Sequence, residues 1–160
     1  MARMKDRLPA LIAALTALGL VGAFLVPHRF RDGRDRNEAA AARALLALAQ
    51  AEAVYHEGTG GYSGDLAALP ASLSPDFPSR GLAGGYRFGS VEIDETGRPI
   101  LRARRFAYYA VPETYHVTGI LTLLVGPEGK VYAKDAGSSL PPSAWPASDP
   151  TSEGWIILDR

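Results

Sequence analysis

The first apolar stretch of the chain has no polar face. Leu8 to Val26 reads LPALIAALTALGLVGAFLV, uncharged, with Thr16 as its single polar side chain. About nineteen residues at roughly 1.5 Å each span nearly 30 Å, the hydrocarbon thickness of a bilayer. A surface helix of a globular domain keeps a polar stripe, so this stretch reads as a membrane segment or a secretion signal. Pro9 stands at its entrance, where a missing N–H costs least. Arg3, Lys5 and Arg7 suit the basic flank of a signal, and Val21-Gly22-Ala23 a small-residue cleavage site. The run is nevertheless long for a signal core and stays apolar to Val26. The expectation is a basic tail (1–7) and a single-pass anchor (8–26), with a cleaved signal and a secreted protein as the alternative. Charge does not orient the anchor, because Arg3, Lys5 and Arg7 face Arg29, Arg31, Arg34 and Arg36 across it.

Past Pro27 the pattern becomes one-sided. NEAAAARALLALAQAEAVYHEGTGG, starting at Asn37, is dense in strong helix formers. Ala41, Ala42, Leu45, Leu46, Leu48, Ala49 and Ala53 share one side at helical spacing, while Glu38, Arg43, Gln50 and Glu57 keep to the other. Gly58-Thr59-Gly60-Gly61 stops the helix. Pro27 removes one backbone bond and permits a kink. The pattern predicts one helix of about fifty residues and roughly 75 Å, apolar all round in its first half and amphipathic in its extension (27–57). Leu45, Leu46 and Ala49 are its expected contacts with a sheet.

The remainder (58–160) alternates with the period of strands. Ser63-Gly64-Asp65 can cap a short helical piece before Pro70. YRFGSVEID reads as a strand with a break at Gly89 that suggests a bulge. ILRARRFAYYAVPE alternates from Leu101 onward. ILTLLV and KVYAKD flank Pro127-Glu128-Gly129, a hairpin turn. The tail is loop to Gly154, followed by the apolar run WIIL. Three or four antiparallel strands laid on the amphipathic part of the helix would bury both apolar faces. The expected fold class is α+β, with strands forming a head packed on 37–57.

Composition narrows the function. Net charge is zero and the pI is near 6.8, so no field draws the chain to nucleic acid, and no basic stripe is interleaved with aromatics. Cysteine is absent, which removes thiolate catalysis and thiolate metal sites. His28 falls at the membrane boundary and His56 at a helix end, where an imidazolium complements the dipole. Glu113 and His116 would form a metal or acid–base pair only on a helix, and the nearby Pro and Gly make that segment a loop. EGTGGYSG lacks the lysine of a phosphate loop, and no serine lies in a nucleophile elbow. Trp145 and Trp155 are expected to pack the tail onto the sheet. No catalytic residue, bound cofactor or enzymatic activity is expected.

Three stretches together resemble type IV pilins and the pseudopilins of type II secretion. LGLVGAFLVP is similar to their hydrophobic stem, punctuated by Gly19 and ended by Pro27. ALAQAEAVYHEGTGGYSGDLAAL is similar to a stem helix closing on a Gly-Tyr turn, and FAYYAVPETYHVTGILTLLVGPEGKVYAKD to their strand pair. The resemblance implies a structural or assembly subunit of a filament machine. It would be anchored in the inner membrane with its head in the periplasm, in contact with lipid, other pilin-like subunits and an assembly platform. It implies stem packing through Gly19, Gly22, Ala23 and Pro27. It also suggests calcium in the C-terminal loop, for which Asp135, Asp149 and Glu153 are the candidate ligands, although the tail lacks the acidic alternation of an EF-hand. The chain departs from the family at the prepilin-peptidase site. Lys5, Asp6 and Ala10 stand where that site has glycine, phenylalanine and glutamate.

Overall fold

The computed structural model describes residues 8–69 and 81–158, with side chains from Gly33 onward. One long helix, α1 (Leu8–Thr59), opens the chain. The chain divides after Gly33 into two compact units, and the second, Arg34–Arg160, contains the head. The stem positions Gly19, Gly22, Ala23 and Pro27, and the apolar run Leu8 to Val26, lie outside the residues whose side chains are described. Among the described residues no helix is long and apolar enough to cross a membrane.

The sheet corrects the expected strand number. Six antiparallel strands follow one another in space as they do in sequence: β1 (Leu82–Ala83), β2 (Tyr86–Ser90), β3 (Tyr108–Pro112), β4 (Leu121–Val125), β5 (Val131–Asp135) and β6 (Ile156–Ile157). The expectation of a pilin-like sheet of three to four strands therefore fails. Its physical reason is length. β1 and β6 hold two residues each, too few to show alternation, and β1 arises inside the Gly-rich stretch that reads as loop. The alternation from Leu101 also misleads. Leu101–Arg105 is a turn in which Arg104 N–H and Arg105 N–H both donate to the Leu101 carbonyl, and β3 begins only at Tyr108.

Alternate strand positions face α1. Tyr86, Phe88, Tyr108, Ala110, Leu123, Val125, Val131 and Ala133 form one core with Ala41, Ala44, Leu45, Leu48 and Ala51 of the helix. Small alanines bring the helix close, and each fully buried leucine contributes about 2 kcal/mol. Leu45 is fully buried, whereas Leu46 and Ala49 pack against this core only partly covered. Ala53, expected on the same side, is exposed. The other face is covered too: Leu124 and Tyr132 lie with Val91, Ala107, Trp145 and Trp155 in a second core under the C-terminal tail. Two covered faces explain why β4 reads LTLLV without polar alternation.

Local chemistry sets the connections. Gly129 closes the β4–β5 turn at φ +66°, with its N–H donating to the Gly126 carbonyl at 3.0 Å. Asp65 caps the 3-10 turn Leu66–Ala68 by accepting from Ala67 N–H. Gly89 makes no bulge, since it pairs in register with Tyr109. A Cβ at Gly89 would come within 2.5 Å of the Tyr109 hydroxyl, so glycine there makes room for the aromatic ring across the strand pair.

Candidate functional site

A buried side chain with three hydrogen bonds stands on the apolar stripe of α1. Glu52 falls on the apolar side of α1, four residues beyond Leu48 and seven beyond Leu45, and its side chain is wholly buried. It accepts from Ser63 N–H at 2.8 Å, from Gly64 N–H at 2.7 Å and from the Tyr108 hydroxyl at 2.6 Å. A buried carboxylate is costly unless its oxygens are so occupied. One side chain thus ties α1, the loop after it and β3. Burial, and then the hydrogen bond to Glu52, hold the Tyr108 phenol well above its ordinary range.

A second set of ties holds the β3–β4 loop to the helix. The Glu38 carboxylate accepts from Ile120 N–H at 2.9 Å, and Asn37 Nδ2 donates to the Thr118 carbonyl at 2.8 Å. Tyr86 donates to the Leu121 carbonyl at 3.0 Å. Its phenol is also held above the usual range, first by burial and then by the charge of Glu38. Glu38 was expected on the solvent side of the helix, and the alternation of polar and apolar residues carries no mark of this contact. Glu52 did leave a signal, an acid on the apolar stripe.

The two histidines whose side chains are described, His56 and His116, lie in separate places. His56 stacks on Tyr62 with ring centroids 4.5 Å apart. His116 sits at φ +65° in a turn where Val117 N–H and Thr118 N–H donate to the Thr114 carbonyl. Glu113 and His116 are thus on a turn, as the local Pro and Gly imply, and His116 instead lies against Tyr115. His28 lies outside the residues whose side chains are described.

The three candidate calcium ligands are separately engaged. Asp135 accepts from the Tyr115 hydroxyl at 2.7 Å and from Gly137 N–H at 2.9 Å, and those bonds, the phenol's first, keep its carboxyl below the usual range. Asp149 caps the 3-10 turn Pro150–Glu153, accepting from the Thr151 hydroxyl and N–H. The hydroxyl bond is the larger cause of its lowered pKa. Glu153 accepts from Ala147 N–H at 3.1 Å. Among the described residues no group of three or more His, Cys, Asp or Glu side chains is placed to hold a metal ion.

Asp135 and Glu153 do share a groove. It has a volume of about 780 Å³ and runs between the end of β5 and the tail, with Trp145, Trp155 and Glu95 also in its wall. A cavity of about 340 Å³ adjoins it through Glu95, Trp145 and Ser148. The Arg105 guanidinium lies 5.6 Å from the Trp145 ring and the Lys134 ammonium 5.9 Å from the Trp155 ring. The tryptophans pack the tail onto the sheet, and their edges reach this groove.

A family model described as a protein of unknown function (DUF2950) matches residues 101–149, less than half the chain. The matched stretch runs from the turn before β3 to Asp149 and so takes in β3, β4, β5 and the tail that carries Trp145. No curated protein matches the chain.

Proposed function

We propose that this chain is a non-enzymatic structural or assembly subunit of a secretion- or pilus-type machine, tethered to the inner membrane by Leu8–Val26 with its head in the periplasm. One observation carries the reading: two carboxylates of α1, the buried Glu52 and the half-buried Glu38, fasten the helix to the head. Glu52 and Glu38 spend their oxygens on backbone amides and a phenol, which suits a part that transmits force or position along a helix. The uniform apolarity of Leu8–Val26 supplies the tether, and the resemblance to pilins and pseudopilins supplies the class of machine. The absence of the family's glycine, phenylalanine and glutamate at Lys5, Asp6 and Ala10 points to a minor or adaptor subunit that forms no filament alone.

A carbonate wash of membranes from cells making the full-length chain tests the tether, and electron microscopy of shear fractions tests assembly. Retention in the membrane pellet without filaments of this chain alone is the expected result. Full-length protein in the soluble fraction overturns the tether, and abundant homopolymers overturn the adaptor role. A second reading, a tethered binding domain that does not assemble, is favoured by the groove beside Trp145 and Trp155.

A further inference from the structure

The two cavities beside Trp145 adjoin through Glu95, Trp145 and Ser148 and form one groove, beside the core of Tyr132, Trp145 and Trp155. Its floor is aromatic, with Tyr132 and Trp145 in the smaller part and Trp145 and Trp155 in the larger. Pro127, Pro142 and Pro146 stiffen its walls. Four carboxylates border it, Glu95, Glu128, Asp135 and Glu153, against two cations, Arg105 and Lys134. Arg105 is already paired with Glu95 at 3.0 Å, and Lys134 donates to the Glu153 carbonyl at 2.7 Å. The groove is therefore negative on balance. Both indoles in it already take a cation of the chain itself at cation–π distance, which shows the kind of group this surface accommodates.

We propose that this groove docks an extended, lysine- or arginine-bearing segment of a partner protein. Charge complementarity argues for that occupant. Positive side chains spaced along one segment would meet Glu128 in the turn before β5 and Asp135 at the far end of that strand, gaining from the carboxylates and the ring quadrupoles. Acids at both ends of β5 suit an extended backbone better than a compact cation, and proline in the walls reduces what must be ordered on binding. The proposal goes beyond the assembly role and stands whether or not the chain joins a filament.

The chain has only two tryptophans, and both line the groove, so tryptophan emission excited beyond the tyrosine band reads this surface. The full-length chain in a neutral detergent is titrated with a short peptide alternating lysine and proline, with the glutamate–proline peptide and a neutral oligosaccharide in parallel. The expected result is a saturable emission change with the lysine peptide only, weakening as salt is raised. Glu128→Gln together with Asp135→Asn should weaken it about tenfold, with circular dichroism unchanged. Glu128→Gln alone, at an exposed turn, should weaken it in the same direction should the double variant unfold. No saturable response to the lysine peptide, an equal response to the acidic peptide or the sugar, or unaltered binding in the folded variants overturns the proposal.

Discussion

At Glu52 a single carboxylate holds three donors, two from the loop after α1 and one from β3, and its removal has a graded cost. Glu52→Gln keeps the shape but turns an NH₂ group toward groups that themselves donate. The expected loss is about 3 kcal/mol, because a buried donor is left facing a donor. Tyr108→Phe removes one donor and leaves the amides satisfied, and should cost about 1 kcal/mol. Urea denaturation of the variants, with the dependence on denaturant unchanged, reads both losses; equal stability of Glu52→Gln and the parent would show that the amides find other acceptors. The neighbouring leucines separate in the same way. Leu45→Asp places a charge in a fully covered site and should prevent folding of the head, whereas Leu46→Asp, at a partly covered site, should leave a folded protein with a lower melting temperature. Thermal melts followed by circular dichroism distinguish the pair. The helical spacing alone made these two positions equivalent.

At the level of elements, what the sequence showed depended on length and on the number of covered faces. The β4–β5 hairpin was legible because the run LTLLV and the strand opening on Val131, Tyr132 and Ala133 flank a Pro-Glu-Gly turn, and the amphipathic part of α1 because its alanines and leucines recur over several turns. The two-residue edge strands were not, since period two cannot be recognised over one step. Nor was the turn Leu101–Arg105, where alternating arginines imitate a strand but backbone bonds to the Leu101 carbonyl close the chain on itself. The groove was illegible because its acids come from separate segments, the turns at Glu95 and Glu128, the end of β5 and the tail, which only the fold brings together. Gly89 shows how an element's requirement can pass for a break. Gly89→Ala should displace the Tyr109 ring and cost about 2 kcal/mol, and Tyr109→Ala in the same chain should recover part of that loss. A double-mutant cycle by denaturation measures the coupling; strict additivity would mean that the ring does not occupy this space.

Over the whole molecule the two buried tyrosines couple the fold to alkaline pH. Tyr86 and Tyr108 face α1 from adjacent strands, and burial raises both pKa values, with the charge of Glu38 adding at Tyr86 and the hydrogen bond to Glu52 at Tyr108. A phenol whose folded pKa lies above its unfolded one contributes stability that is complete below the unfolded value, about 10, and is lost as pH rises through the folded one. The fold should therefore weaken above about pH 10. In a spectrophotometric titration, part of the phenolate absorbance should appear only in the step in which circular dichroism is lost. Smooth ionisation of all seven tyrosines with the fold intact would contradict the burial of this pair. The same titration of Tyr108→Phe should lose amplitude from that late step.

The sequential order of the six strands also bears on how the head is made. Each strand pairs with the next one to emerge, so the sheet closes through successive neighbouring pairs. The bonds to the helix span far more chain: Glu52 and Tyr108 are 56 residues apart, and Glu38 and Ile120 are 82. Closing longer loops costs more entropy, and contacts of large sequence separation form late. A ribosome therefore releases the alanine–leucine stripe of α1 well before the strands that cover it, an interval on the order of several seconds at ordinary rates of synthesis. In that interval the stripe from Ala41 to Ala51 is a bare adhesive surface, and the nascent chain is most open to capture by a chaperone or by another apolar helix.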